Sequence, residues 1–560
     1  MSLSPNLRTT IRCSSGRRQR EATPYLYLVE NEREGTRVRQ RIIRALGRKD
    51  VLIAGGELER LAASLARHCD RTIILSDMAA GHIACTRIGG PLLFGRIWER
   101  LSIAAVLEEV LHDRGFEFAV ERAVFASVLH RLFVSGSDRS CDKWMADYRI
   151  DGIDGLQLHH LDRAMIWLGE EIAPAEAHAL APRCIKDVIE ERLFERRRDL
   201  FSDLSRVFMD TTSLAFCGAG GDSLGAYGHS KDHRPDLKQM ILAVVIDGEG
   251  RPICTEMLPG NTADTTVLLP VVDRLRERFH IGRVCVVADR GMISAATIAA
   301  LEERKLEYIR GARERSAVVR RLVLEDEQPL RPLLVERARG ETQLFVKEVK
   351  IGAARYILCR NEAEAQRDRS ERQAIVAGLS KQLARGDKAL IGNSAYRRYL
   401  RRASSADGKP GPAFEIDPGK LAEEARFDGV FVRRTNARVT PLQAVLRYRD
   451  LLQVEDLFRR AKAILRTRPI YHSSDTAIRG QVFCSFLALM LQKELADLCQ
   501  RHGLVIEWAD LLRDLDRLQQ ATIEKDGKRI TTRTVVAGQV GSVFQAAGIA
   551  LPPNLHERAG

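Results

Sequence analysis

The order of apolar segments between residues 205 and 311 restricts the fold of this chain more than any other feature. Three strand-like runs come first, at 206–209, 240–246 and 252–257. A helix, a strand, a helix and a strand follow, at 264–279, at 284–288, after the capping residue Ser294 and near Tyr308. The turn signal Asp247-Gly248-Glu249-Gly250 joins the second and third runs, so consecutive strands are expected to pair antiparallel. The sequence therefore predicts three antiparallel strands followed by two strands that alternate with helices.

This order is that of a ribonuclease-H-like core, so the predicted fold class is α/β. A mainly helical region precedes the core, because apolar residues recur at three- and four-residue spacing over 58–69, 95–115 and 120–134. Residues 312–427 do not continue the core pattern. They contain hairpin-like runs over 343–359 and a charged helix over 362–385, and we interpret them as a β-rich insertion.

The length of 560 residues and the hydrophobic content of 45% predict several globular domains. The helical region is either a domain that binds DNA ends or a purely structural bundle. It shows no recognition-helix signature that would decide between the two. The predicted domains are a basic N-terminal module (1–55), the helical region (56–204), the first part of the core (205–311), the insertion (312–427), the second part of the core with a helix from Thr440 (428–500), and a helical C-terminal tail (501–560).

Two aspartates follow apolar strands in this order. Asp210 comes after residues 206–209 and Asp289 after 284–288, and each is followed by a polar or glycine-containing sequence that predicts a turn. Taken singly, an aspartate after a strand is more often a turn residue than a ligand. If the first and fourth strands are neighbours, as in the predicted order, the two carboxylates lie side by side.

A third carboxylate, Glu455, lies on a predicted helix that begins at Thr440 and continues to about Leu465. Thr440-Pro441-Leu442-Gln443 combines an N-cap, a proline at the first helical position and a capping-box glutamine. Three apolar residues surround Glu455 on the helix face: Leu451, Leu452 and Phe458. A carboxylate on an apolar stripe needs a partner, which is either a metal ion or the cation Arg459 one turn later.

Three carboxylates without histidine or cysteine form a hard oxygen donor set that suits Mg²⁺, with Mn²⁺ as a substitute, rather than zinc. Such a set fits phosphoryl transfer with two metal ions about 4 Å apart. Asp210, Asp289 and Glu455 are therefore the predicted catalytic and metal-binding residues.

The basic character of the chain favours a polyanionic partner. Lys and Arg total 88 against 75 for Asp and Glu, which gives a formal charge of +13 and a pI near 9.3. Four residues around the predicted helix are candidate DNA contacts: Tyr448, Arg449, Arg459 and Lys462. The alternative is an ordinary solvated basic face. The polar run over 227–237 precedes the second strand and is a candidate for DNA contact or for support of the metal site.

Six stretches of the chain resemble bacterial insertion-sequence transposases of the DDE class, in the superfamily with a Tyr-x-x-Arg-x-x-x-Glu-x-x-x-x-x-x-Lys signature. They are MDTTS around Asp210, GHSKDHRPDLKQ from Gly228, LPGNTAD from Leu258, VVADRGMIS around Asp289, FDGVFVRRTN from Phe427 and YRDLLQVEDLFRRAK around Glu455. The N-terminal YLYLVE and REGTRVRQR are also similar. The resemblance implies that Asp210, Asp289 and Glu455 are the metal triad and that Tyr448 and Lys462 contact DNA. Leu451 departs from the signature arginine, and Arg449 and Arg447 are the candidates to replace it.

The resemblance also implies a homodimer that synapses two inverted-repeat ends and joins them to target DNA. The alternatives are a ribonuclease-H-like nuclease that cuts without joining, and a catalytically impaired relic that still binds DNA. Eleven cysteines without a C-x-x-C pair indicate a reducing compartment. The sequence has no run of about eighteen apolar residues, so it predicts no membrane span. The expected location is therefore the cytoplasm, at the bacterial nucleoid.

Overall fold

The computed structural model describes most of the chain, with gaps. The described residues are 7–14, 24–34, 37–66, 82–173, 181–197, 206–218, 220–231, 233–281, 284–288, 293–312, 316–337, 340–352, 354–384, 396, 398–402, 414–451, 470, 472–525 and 528–559. Contacts divide the chain into two compact units, Met1–His82 and Ile83–Gly560.

The described residues of the first unit form a three-stranded antiparallel sheet and two helices. Its elements are β1 (Leu7–Ser14), β2 (Tyr25–Glu34), β3 (Arg37–Arg48), α1 (Lys49–Ala54) and α2 (Glu57–Ala66). Strand β2 lies in the middle of the sheet, and its Val29 is 1% exposed. The sequence predicts a strand at 25–29 and either a basic strand or a short helix at 36–47. The first prediction is confirmed by β2, and residues 37–47 lie in strand β3.

The second unit begins with a helical bundle. Its elements are β4 (His82–Arg87), α3 (Gly89–Arg100), α4 (Ile103–Leu111), α5 (Val120–Phe133), α6 (Asp138–Met145), α7 (Leu158–Leu168), β5 (Glu171–Ala173), β6 (Arg183–Cys184) and α8 (Ile185–Arg197). The helical pattern over 95–115 is divided into two helices at Ser102, whose backbone is left-handed with φ of 58°. Apolar faces of α5 and α7 form the bundle core.

A nine-stranded mixed sheet is the centre of the second unit. Its elements and the helices that connect them are β7 (Arg206–Ala215), β8 (Gln239–Asp247), β9 (Pro252–Pro259), α9 (Asp264–Phe279), β10 (Cys285–Ala288), α10 (Ala295–Glu303), β11 (Glu307–Gly311), α11 (Ala317–Leu324), β12 (Arg331–Arg337), β13 (Gly340–Ile351), β14 (Ala354–Asn361), α12 (Glu362–Leu383), β15 (Leu400–Arg402), β16 (Phe414–Ile416), α13 (Pro418–Ala425), β17 (Val430–Thr435) and α14 (Pro441–Arg449). The two short strands β15 and β16 pair separately.

The strand order of this sheet is β12-β13-β14-β17-β11-β10-β7-β8-β9. Strands β7, β8 and β9 pair antiparallel, while β10 is parallel to both β7 and β11. The predicted sequence of three antiparallel strands, helix, strand, helix and strand is confirmed. Strands β12 to β14, from the predicted insertion, are hydrogen-bonded into this same sheet through β17.

Both faces of the sheet are covered, which explains the unbroken apolar sequence of β8. Ile241, Ala243 and Val245 pack on one side against α9. Met240 and Val244 point to the opposite side and join the core shared with the helical bundle. A strand buried on both faces has no polar side to alternate with, so continuous apolar residues are the expected pattern.

The C-terminal part of the chain contains a long buried helix and a small sheet. Its elements are α15 (Asp475–Arg501), α16 (Trp508–Arg517), β18 (Gln519–Lys525), β19 (Lys528–Arg533), α17 (Val540–Ala547) and β20 (Leu555–Ala559). Helix α15 packs closely on α7, since a Cβ atom at Gly480 would lie 2.0 Å from the carbonyl oxygen of Met165. Gly480 is therefore required for this helix contact.

The prediction of a helical C-terminal tail is wrong for three segments. Strands β18, β19 and β20 form a four-stranded sheet with β4. Asp526-Gly527 separates β18 from β19 in the sequence, and this dipeptide is a strong hairpin signal that the helical interpretation missed. Among the described residues, no helix has the length and apolar character needed to cross a membrane.

An ion-pair network, almost entirely buried, joins α8 to the sheet. The side chain of Arg278 on α9 is 4% exposed. Its guanidinium group lies 3.3 Å from Asp187, 2.7 Å from Glu190 and 3.1 Å from Glu256. Lys186 lies 2.6 Å from the same Asp187 carboxylate. Because these charges compensate one another away from water, the network depends on every member being present.

Candidate active site around Asp210

Asp210 lies inside a strand and not at its end. Strand β7 continues through Asp210 to Ala215, and Asp210 pairs with Val244 of β8. The expectation that Thr211-Thr212 form a turn is wrong. Both threonines are β-branched, both are buried, and both pair with β8, so they extend the strand.

The Asp210 carboxylate is accessible and oriented by its neighbours. Its side chain is 22% exposed, and its Oδ1 atom accepts a hydrogen bond of 2.7 Å from the backbone N–H of Thr211. The Nζ atom of Lys231 lies 4.0 Å from the same oxygen. A carboxylate in this setting can receive a cation without complete desolvation.

Lys231 and Asp264 complete a network beside Asp210 that the sequence did not identify. Lys231 Nζ donates to the carbonyl oxygen of Thr211 at 2.7 Å and to its Oγ1 at 2.6 Å. The same Nζ lies 3.2 Å from Asp264 Oδ2. The hydroxyl of Thr211 donates to Asp264 Oδ1 at 2.7 Å. In the sequence, Lys231 lies in the polar run 227–237, which was a candidate for support of the metal site. Asp264 lies in the LPGNTAD stretch.

Four of the predicted site residues lie outside the described residues: Asp289, Glu455, Arg459 and Lys462. The strand that precedes Asp289 is described, and it pairs in parallel with the strand that carries Asp210. In this pairing Val287 is the partner of Phe208.

The helix predicted to carry Glu455 begins as expected and ends early. The Thr440 hydroxyl accepts from the Gln443 N–H and the Gln443 side chain accepts from the Thr440 N–H, which confirms the capping box. Helix α14 ends at Arg449. The N–H of Leu451 bonds the carbonyl three residues back, at Tyr448, so the last turn tightens. The prediction of one continuous helix to about Leu465 is therefore wrong, because the helix that begins after Thr440 does not continue through Leu451.

Leu451, at the position of the signature arginine, is 5% exposed and belongs to the core. A buried leucine cannot supply a phosphate contact. Both alternatives, Arg447 and Arg449, are half-buried on α14.

Tyr448 packs against a basic side chain from the neighbouring strand. The Arg433 guanidinium on β17 lies 3.7 Å from the centre of the Tyr448 ring and 4.9 Å from that of Phe431. Such cation–π stacking holds an arginine over an aromatic face. Arg433 is thus a basic residue beside Tyr448 that the sequence reasoning missed, although it lies in the FDGVFVRRTN stretch.

A second group of possible metal ligands lies in the helical bundle. Ligand atoms of Asp138, Asp162 and His472 are all within 4.8 Å of one another. Burial works to raise the pKa of Asp138, but a hydrogen bond from His472 and the charge of Arg131 hold it below the usual value. The His472 imidazole, 3.2 Å away, already serves Asp138 as a partner. This group contains none of the predicted triad.

Near this group, His130 is buried in α5 and affects the pH dependence of folding. It is 2% exposed, and its Nε2 lies 3.2 Å from Ser140 Oγ. Burial, with a smaller contribution from the charge of Arg131, lowers the pKa of His130 from 6.5 to about 4. On acidification the unfolded chain therefore binds a proton before the folded chain does.

We expect the unfolding free energy to decrease by about 2 kcal/mol between pH 7 and pH 5 because of His130. The loss begins near pH 6.5 and is complete near pH 4, the two values of the pKa. Urea unfolding at both pH values should show this decrease in the wild type and a smaller one in His130→Gln. His159→Gln, at an exposed position, should keep the wild-type dependence. An unchanged pH dependence in His130→Gln would contradict the prediction.

Comparisons with known families agree with this architecture. A family model described as "Transposase DDE domain" matches residues 202–491, slightly more than half of the chain. The match covers β7 to β11, with Asp210, and reaches into α15. A second model, described as "IS1634 family transposase, N-terminal domain", matches residues 11–79, within the first unit. No curated protein matches the chain.

The chain therefore belongs to the transposase DDE domain family. With the N-terminal match, it is an insertion-sequence transposase of the DDE class, as the sequence resemblance indicated. Its activity is DNA cleavage and strand transfer that depend on divalent metal ions, and the mixed α/β sheet is the ribonuclease-H-like fold that this domain implies.

Proposed function

We propose that this transposase cleaves and joins the ends of its insertion sequence at a site formed by Asp210, Asp289 and Glu455. The observation that carries the proposal is the register of two strands. Phe208 of β7 is paired in parallel with Val287 of β10. Asp210 is two residues past Phe208, and Asp289 is two residues past Val287. Counted along the sequence, each aspartate therefore follows by two residues one member of a strand pair, and this equal spacing supports the proposal.

We propose that the three carboxylates bind Mg²⁺, with Mn²⁺ as a substitute, and that the site holds two ions. Asp210 offers an accessible carboxylate whose Oδ1 is oriented by the Thr211 N–H, and carboxylate oxygens are the ligands these ions prefer. The chemistry that two bound ions supply is activation of the attacking oxygen and stabilisation of the leaving oxygen. The contribution of the described chain is to hold the Asp210 carboxylate on a rigid sheet, so that a bound ion and the reacting phosphate are placed reproducibly.

The DNA contacts that we propose are Tyr448, Arg449, Arg459 and Lys462, with Arg433 added beside Tyr448. The stacking of Arg433 on Tyr448 supports this addition, because it keeps a positive charge next to the proposed strip. Leu451 stands where the signature has an arginine, and because it is a buried leucine it cannot make the phosphate contact of that arginine. We propose that Arg449 replaces it.

The domain boundaries are also proposals. The helices α3 to α8 support a mainly helical region within 56–204, and β12 to β14 with α12 support a β-rich insertion within 312–427. The remaining proposed divisions are 1–55, 205–311, 428–500 and 501–560. We propose further that the enzyme acts in the cytoplasm at the bacterial nucleoid, as a homodimer that synapses two terminal inverted repeats before joining them to target DNA.

A cleavage and joining assay tests this function. A plasmid that carries the DNA from both sides of the coding region is incubated with the protein and Mg²⁺ or Mn²⁺. We expect cleavage at both repeat ends and joined products, and neither with EDTA or with scrambled ends. Gel-shift stoichiometry with paired ends measures whether two protein copies join two ends.

Two results would contradict the proposal. Cleavage without joined products would indicate a nuclease that lacks strand transfer. Binding of the ends without cleavage, with either metal, would indicate a DNA-binding relic.

A further inference from the structure

We propose that Lys231 is a positioning residue that holds the Asp210 segment of β7 in the geometry required for metal binding. The proposal rests on the assignment of Asp210 to the active site. The observation behind the proposal is that Lys231 contacts strand β7 at two residues, Thr211 and Ser213. The Lys231 side chain bonds Thr211, and the Lys231 backbone N–H donates to Ser213 Oγ at 3.0 Å.

The hydrogen bonds of Lys231 argue against direct DNA contact. An ammonium group has three N–H donors. The Thr211 carbonyl oxygen, the Thr211 hydroxyl and Asp264 Oδ2 lie at 2.7, 2.6 and 3.2 Å from Nζ. These three acceptors account for the three donors, and the side chain is only 28% exposed. A phosphate would have to displace one of these contacts.

The charge of Lys231 also separates two carboxylates. Asp264, at the start of α9, is joined to β7 by the Thr211 hydroxyl and by Lys231. Lys231 Nζ lies 3.2 Å from Asp264 and 4.0 Å from Asp210, between the two. Without the ammonium group, Asp264 loses its counter-charge and the bridge to Thr211 is weakened. Thr211 is the residue whose N–H orients Asp210, so the disturbance reaches the proposed metal ligand.

The choice of metal distinguishes positioning from a general structural role. Mg²⁺ requires near-ideal octahedral geometry, so a displaced ligand should harm Mg²⁺-supported catalysis more than Mn²⁺-supported catalysis. A variant that is only less stable should lose both activities equally. Partners of metal ligands typically contribute about 10- to 100-fold to metal affinity or activity.

The experiment measures cleavage of an end substrate that the wild type cuts, with each metal in turn. We expect Lys231→Met to reduce Mg²⁺-supported cleavage by about 10- to 100-fold, to recover most of that loss in Mn²⁺, and to bind the ends as the wild type does. Thr211→Val, which keeps the β-branched shape, should show the same metal preference to a smaller degree. Lys143→Met, at an exposed position of α6, is the matched control and should behave as wild type.

Several results would overturn the proposal. The first is an equal loss of cleavage in Mg²⁺ and Mn²⁺, and the second is no loss of cleavage with either metal. The third is a loss of DNA-end binding, which would indicate that Lys231 contacts a phosphate. Thermal unfolding shows whether Lys231→Met is folded. If it is not folded, the metal preference of Thr211→Val tests the positioning role instead. If Asp210→Asn retains activity, the active-site assignment itself fails. If Asp210→Asn is inactive and Lys231→Met has no metal-dependent defect, only the positioning role fails.

Discussion

Replacing Asp210 by Asn is expected to reduce DNA cleavage by at least about 1,000-fold while the fold and the binding of DNA ends are retained. The substitution removes a metal-ligand charge at nearly constant volume. The Asn side-chain oxygen can still accept the Thr211 N–H that Asp210 accepts now, so the strand should be undisturbed. Plasmid cleavage, gel shift of the ends and thermal unfolding measure the three properties separately.

A control for this prediction is available on the loop between β7 and β8. Asp222 is exposed, and Asp222→Asn should cleave DNA at the wild-type rate. Glu455→Gln and Asp289→Asn should resemble Asp210→Asn, because each removes one of the three proposed ligand charges. Wild-type activity in Glu455→Gln, with Asp210→Asn inactive, would exclude Glu455 and leave the third ligand to be found.

The second large effect concerns stability. Arg278→Met is expected to lower the unfolding free energy by about 3 to 5 kcal/mol. The substitution leaves the carboxylates of Asp187, Glu190 and Glu256 buried with one counter-charge fewer. Since these residues join α8, β9 and α9, the loss should be felt in the global unfolding of the core. Urea unfolding followed by circular dichroism measures it.

Arg96→Met is the matched control. Arg96 has a side chain 54% exposed and pairs with Glu99 one turn away, so its removal should change stability by less than about 1 kcal/mol. A similar small change in Arg278→Met would show that the buried network can reorganise around the missing charge. In that event the network would not be what fixes α8 to the sheet.

Local sequence patterns predicted several elements closely. Helix α9 has the bounds that were predicted from periodicity, and the Ser294 and Thr440 caps both form. Short connections favour neighbouring strands, which explains the pairs β7–β8 and β8–β9. Strand β10 instead crosses over and pairs with β7. The resemblance implied that Asp210 is a metal ligand, and Asp210 lies at a partly exposed position on the central sheet.

Other features of the structure differ from what the local sequence patterns predicted. The polar pair Thr211-Thr212 suggested a turn, but pairing with β8 keeps both in the strand. Helix α14 ends at Arg449 although the sequence after it remains compatible with helix. Strands β18 to β20 form a sheet with β4, which lies more than four hundred residues earlier in the sequence. Tertiary context overrides local propensity at Thr211-Thr212, and the pairing of β18 with β4 is a long-range contact.

The sequence by itself determined the order of elements, the helix starts, the excess of positive charge and the candidate carboxylates, because these follow from periodicity, capping and residue type. Only the tertiary structure decided that Asp210 lies mid-strand, that Lys231 and Asp264 meet beside it, and that Arg433 stacks on Tyr448. Lys231 and Asp264 are brought together by strand pairing and helix packing. A single sequence encodes the residue types but not the distances between them, since those depend on how the whole sheet and its helices pack.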